Sequence, residues 1–186
     1  MDNPLVLILV IALVVAVAAA AWLYTRKRRT DELRGRFGPE YDRAVEAHDD
    51  PRSAEKTLEE RQERVERLQI RALEPREREQ FAERWRSVQA QFVDDPSGAT
   101  KEADRLVAEV MQTRGYPVGD FDQRASDISV EHPHVVENYR AAHGIALRNE
   151  RGETETEDLR QAMVHCRALF DDLLEVEETR RTEVQP

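Results

Sequence analysis

From Leu5 to Tyr24 the chain runs for twenty residues without a charge, and no other stretch of it is comparably apolar. At 1.5 Å per helical residue that run reaches about 30 Å, the thickness of a bilayer's hydrocarbon core, which predicts one transmembrane helix. Beyond it, apolar positions recur every three or four residues among charged ones, the pattern of helices that bury one face. No segment alternates apolar and polar residues long enough to predict a strand. The predicted fold class is all-α, an N-terminal transmembrane helix followed by a soluble multi-helix bundle.

Proline, glycine and capping residues divide the bundle. Thr30 or Asp31 can cap a short helix to about Phe37, and Gly38-Pro39 separates it from a second carrying Tyr41, Ala44, Val45 and His48. Asp50 before Pro51 predicts an N-cap and a third helix, with a thin stripe of Ala54, Leu58, Val65 and Leu68. Pro75 opens the next, where Phe81, Trp85, Val88 and Phe92 predict the centre of the core. Asp94-Asp95-Pro96 repeats the restart, and Ala103, Leu106, Val107, Val110 and Met111 face inward until Gly115 and Pro117. A short helix over 121–128 follows. Pro133 opens another, with Val135, Val136, Tyr139, Ala142 and Ala146 inward. After a polar loop over 149–156, Thr154 and Glu157 have capping-box spacing for a last helix striped by Leu159, Met163, Cys166, Phe170 and Leu173. The expected organisation is a short tail (1–4), the transmembrane helix (5–24), a basic juxtamembrane segment (25–29), one helical domain with one core (30–174) and a polar, frayed tail (175–186).

Charge gives the anchor a direction. Trp22 and Tyr24 end the apolar run where amphipathic rings favour the headgroup level, and Arg26, Lys27, Arg28 and Arg29 follow directly. Met1 to Pro4 contain no Lys or Arg, so the bias predicts a single-pass protein of the cytoplasmic membrane, N-terminus outside and C-terminal domain in the cytoplasm. The same cations could attract anionic lipid headgroups. Ala12, Ala16 and Ala20 share one face at the small-xxx-small spacing that would let two spanning helices pair as a homodimer. The alanines at 18–21 also offer a peptidase site, which would make residues 1–21 a cleaved signal peptide and the remainder an exported helical protein. The basic cluster, however, stands on the wrong side of the apolar run for a signal peptide.

The whole chain has net charge -10, and after Arg29 it carries 24 basic and 37 acidic residues, a net of -13. That balance argues against a nucleic-acid partner, which needs a basic face. Cys166 is the only cysteine, so there is no intrachain disulfide and no paired-cysteine metal or redox motif. Its place in the last stripe predicts a buried, inert thiol. His132, His134, His143 and His165 with Cys166 lack metal-ligand spacing and read as capping or surface residues. The pairs Asp49-Asp50 and Asp94-Asp95 read as caps, and Asp171-Asp172 as the solvated side of the last helix. No glycine-rich phosphate loop is present. The sequence therefore predicts no catalytic, cofactor-binding or metal residues and no cofactor, and the charged face of the helix at 55–67 reads as solvated.

The segments FGPEYDRAV (37–45), ERWRSVQAQFVDDP (83–96), EADRLVAEVMQTRGYP (102–117) and YRAAH (139–143) resemble a family of bacterial membrane or secreted proteins of uncharacterised activity, over about residues 33–174. The resemblance implies a bacterial envelope setting and brings no residue role with it. The leading expectation is a non-enzymatic module held at the inner face of the membrane, presenting an acidic surface to a protein partner. The alternative is a tethered ligand sensor or enzyme whose pocket lies between helices and is lined by residues such as Trp85, Tyr139 and His143.

Overall fold

The computed structural model describes residues 4–48 and 50–175, the side chains of 4–8, 10 and 175 excepted. Every regular element among them is a helix: α1 (Pro4–Phe37), α2 (Pro39–His48), α3 (Pro51–Glu66), α4 (Pro75–Gln91), α5 (Pro96–Arg114), α6 (Phe121–Glu131), α7 (Val136–Glu150) and α8 (Thr156–Glu175). The all-α class therefore holds. The chain forms two compact units, Met1–Leu58 and Glu59–Pro186.

In the first unit α1 is unbroken from Pro4 to Phe37, so no new helix starts at Thr30 or Asp31 as capping chemistry suggested. The Thr30 hydroxyl donates instead to Glu55 Oε1 at 2.7 Å, and Tyr41 Oη donates to the same oxygen at 3.0 Å. With no need to cap backbone N–H groups, Thr30 sits in mid-helix and ties α1 to α3. Gly38 makes the turn at φ +51°, a conformation that favours glycine, and Pro39 starts α2. Leu33, Phe37, Tyr41, Ala44, Ala54 and Leu58 are buried, and Arg34 lies 4.9 Å over the Tyr41 ring. The expected cap of α3 is in place: Asp50 accepts from the N–H groups of Arg52 and Ser53, both at 3.3 Å. Asp49 lies outside the described residues, as do residues 1–3 and the polar tail after Glu175.

The second unit is built around α5 and α8. α8 packs along α7 and α5, and α5 also packs along α4. Their stripes read as the spacing predicted: Ala103, Leu106, Val107, Val110 and Met111 are fully buried, and Leu159, Met163, Cys166, Phe170 and Leu173 are buried on α8. Trp85 stacks on Phe170 with ring centroids 4.7 Å apart, joining α4 to that core. Phe92 is only partly buried. Asp95 caps α5 by accepting from Gly98 N–H at 2.8 Å. Gly115 ends α5 at φ +101°, where an added Cβ would lie 2.5 Å from the Gln69 carbonyl oxygen.

In the second unit two helix starts differ from expectation. α7 begins at Val136 rather than Pro133, because residues 133–135 form a turn in which Val135 N–H bonds the His132 carbonyl at 3.2 Å. The start of α8 is one residue later than the Thr154/Glu157 pair implies. Glu155 N–H donates to Asp158 at 3.0 Å, while Thr154 Oγ1 donates to Asn149 Oδ1 and Glu157 pairs with Arg160. Ala146 is only partly buried, and Ile145 takes the inward place on α7.

Among the described residues no helix is long and apolar enough to cross a membrane. The expected span 5–24 lies within α1, but its side chains at 5–8 and 10 fall outside that description.

Candidate functional site

Three places in the second unit are candidates for a site. The first is where the turn after α6 meets α8. His132, 2% exposed, bonds Asp172 Oδ2 through Nδ1, and exposed His134 bonds Asp172 Oδ1 through Nε2 at 3.1 Å. The sequence reading of these histidines as capping or surface groups, and of Asp172 as solvated, is corrected for His132 and Asp172. The turn at 133–135 displaces the helix start and swings His132 inward, while Asp172 stands about 100° round α8 from Asp171, which pairs with Arg167 at 3.0 Å. Burial alone would raise the Asp172 carboxyl, but the His132 hydrogen bond and the charges of both histidines hold it below the usual carboxylate range. His132 Nε2 is buried without a partner among the described residues. An Asp–His pair can orient a general base; among the described residues no hydroxyl or thiol meets Nε2, and the pair links the turn to α8.

The second place lies between α5, α6 and α7. Phe121 stacks on His143 with centroids 3.6 Å apart and planes 7° apart, and it tilts against Tyr139 at 4.9 Å. Burial raises the Asp104 carboxyl against the pull of Arg124 and His143. Burial also raises the Tyr139 hydroxyl, and the Asp104 charge adds to that. Tyr139 Oη and Arg124 Nε are buried with no partner among the described residues. Two of the three residues anticipated for an inter-helix pocket, Tyr139 and His143, thus meet beside a carboxylate. Trp85 does not join them in these contacts, since its ring partner is Phe170. Cys166 is buried, and burial, with Asp104 adding to it, pushes its thiol up to about 12, which leaves it protonated and unreactive. His165 bonds Asn138 at 3.0 Å.

The third place is a groove of about 280 Å³ between α4 and α8, with Trp85 on one wall and Val164 on the other. Among the described residues no group of three or more His, Cys, Asp or Glu could hold a metal ion. In the first unit, the aromatic and basic residues Trp22, Tyr24, Arg26, Lys27 and Arg28 all stand exposed along α1, with Arg26 5.6 Å over the Trp22 ring and Arg28 bonded to Glu32 at 3.1 Å. Arg29 and the alanines Ala12, Ala16 and Ala20 are exposed as well.

A buried arginine was missed by sequence reasoning. Arg114, 3% exposed, donates to the carbonyl of Leu173 at 3.1 Å and to that of Arg71 at 3.3 Å. It thereby places a cation against the carbonyl end of α8, where the helix dipole is negative. Its only sequence signal is its place one residue before Gly115, a common spot for a basic capping group.

No family model, no curated protein and no solved structure matches this chain.

Proposed function

We propose that the chain is a single-span membrane-anchored helical module that binds a partner rather than catalysing a reaction. The observation that carries this is the character of α1. Leu9, Ile11, Leu13, Val14, Val15 and Val17 are all more than half exposed, on every side of the helix, and nothing in the described chain covers them. A helix that is apolar all round needs an apolar surrounding, and the uncharged run from Leu5 to Tyr24 supplies the length of one crossing. The cluster Arg26, Lys27, Arg28 and Arg29 directly after it favours a cytoplasmic C-terminal side and contact with anionic headgroups. Ala12, Ala16 and Ala20 offer a pairing face for a second copy. The acidic balance after Arg29 favours a protein partner over nucleic acid, and the family resemblance favours a bacterial envelope setting.

The test is protease protection of a C-terminal tag in intact spheroplasts, with the intact mass of the protein. A protected tag at full mass is expected. Digestion from outside would reverse the topology, and loss of about the first 21 residues would make the protein an exported one. Capture of the full-length protein should recover a partner that an anchor-only control does not.

A ligand sensor or enzyme is the second reading, favoured by the meeting of Tyr139 and His143 on Phe121 beside Asp104. Substitution of His143 that alters the binding of a metabolite without changing membrane association would support it.

A further inference from the structure

We propose that the groove between α4 and α8 binds a small amphipathic organic anion, a monocarboxylate carried on an apolar body. Two facing stripes make it. Trp85 and Gln89 lie four apart on α4, with Phe92 just past its C-terminal end, and on α8 Arg160 and Arg167 bracket Met163 and Val164. The cavity of about 280 Å³ sits just below the range of about 300–1,000 Å³ that suits drug-sized ligands, so its occupant is small. Its walls are mainly apolar, and Val164 is half-exposed within it. Trp85 is 3% exposed and fixed by its stack on Phe170, and its indole Nε1–H is a buried donor with no partner among the described residues.

Charge selects the anion. In a region with a net of -13, this groove has two guanidinium groups on its rim, seven residues or about 10 Å apart along α8. Each now holds a carboxylate of its own helix: Arg160 bonds Glu157 at 2.7 and 2.8 Å, and Arg167 bonds Asp171 at 3.0 Å. The single exposed bond of Arg167 contributes only about 0–1 kcal/mol, so a ligand carboxylate can take that fork at little cost, while Arg160, held by two bonds to Glu157, adds a second cation to the rim. The Arg fork then fixes the head while the body lies between Trp85 and Val164. An acyl acid released from lipid and an aryl acid from the aqueous phase share this chemistry.

The experiment uses the full-length chain in lipid nanodiscs with Trp22→Phe, which leaves Trp85 as the sole tryptophan. Octanoate and 3-phenylpropanoate are titrated against Trp85 emission, with 1-octanol and 3-phenylpropan-1-ol as neutral counterparts. At least one acid should give a saturable change, bound at least tenfold tighter than its alcohol. Tighter octanoate points to the lipid source, and tighter phenylpropanoate to the aqueous one. Arg160→Gln/Arg167→Gln should weaken the acid at least tenfold, and Val164→Phe, which fills the groove, should abolish the response. The proposal is overturned if neither acid saturates, if the alcohols bind as well, or if the double variant binds unchanged. Membrane anchoring is measured separately in spheroplasts and stands or falls without this result.

Discussion

Asp172 holds two imidazoles on one carboxylate, and it is the partner of the buried His132 Nδ1. Asp172→Ala is expected to destabilise the second unit by about 1–3 kcal/mol, the usual penalty for a buried polar group stripped of its partner, read from urea unfolding. Because the folded Asp172 carboxyl titrates below the unfolded value of about 3.9, its stabilisation is present above that pH and is lost as pH falls through the folded value. The wild type should therefore lose stability on acidification more steeply than Asp172→Ala. Asp104 behaves in the opposite sense. Burial raises its carboxyl, so its penalty is absent below the unfolded value and grows as pH rises through the folded one. Asp104→Asn should be more stable than wild type at pH 7 and indistinguishable from it at pH 3. A stability curve of Asp104→Asn lying at or below wild type across that range would show that Asp104 has a stabilising partner.

Among the elements, α5 and α8 carry the second unit. Phe170→Ala removes the ring beneath Trp85 and should cost about 3–5 kcal/mol, with a shift in Trp85 emission as a local report. Gly115→Ala puts a Cβ against the Gln69 carbonyl at a left-handed φ, and should destabilise by more than the 0.4–1 kcal/mol gained where alanine fits, about 1–3 kcal/mol in denaturant melts. These are the elements whose stripes were plain in the sequence, because an apolar residue every third or fourth place has one meaning when a core lies on one side. Helix ends were harder to read. Thr30 looks like a cap, yet its hydroxyl serves Glu55 across the unit, and the Thr154/Glu157 spacing competes with Glu155/Asp158 one residue on. The polar interior was the least legible part. His132, Asp104 and Arg114 carry no periodic signal, and only the packing of helices far apart in sequence brings them to Asp172, His143 and the Leu173 carbonyl.

At the scale of the whole chain there are two compact units, with the apolar run and its cations in the first. A chain lacking residues 1–24 should leave the membrane fraction and remain helical, measured by flotation and circular dichroism. Its retention at the membrane would assign attachment to the rest of the protein. The unbroken α1 carries a mechanical consequence. Helical hydrogen bonding runs from Pro4 through Phe37 with no proline or loop after its first residue, so the apolar part and the part that packs on α2 form one stiff shaft. Such a shaft has no swivel: turning the apolar end about its axis turns Leu33 and Phe37 through the same angle. One alanine inserted after Tyr24 would twist the two ends by about 100° and lift one from the other by about 1.5 Å. Seven inserted residues would nearly restore the azimuth, so whatever depends on how the apolar end faces relative to Leu33 and Phe37 should fail with one added residue and recover with seven.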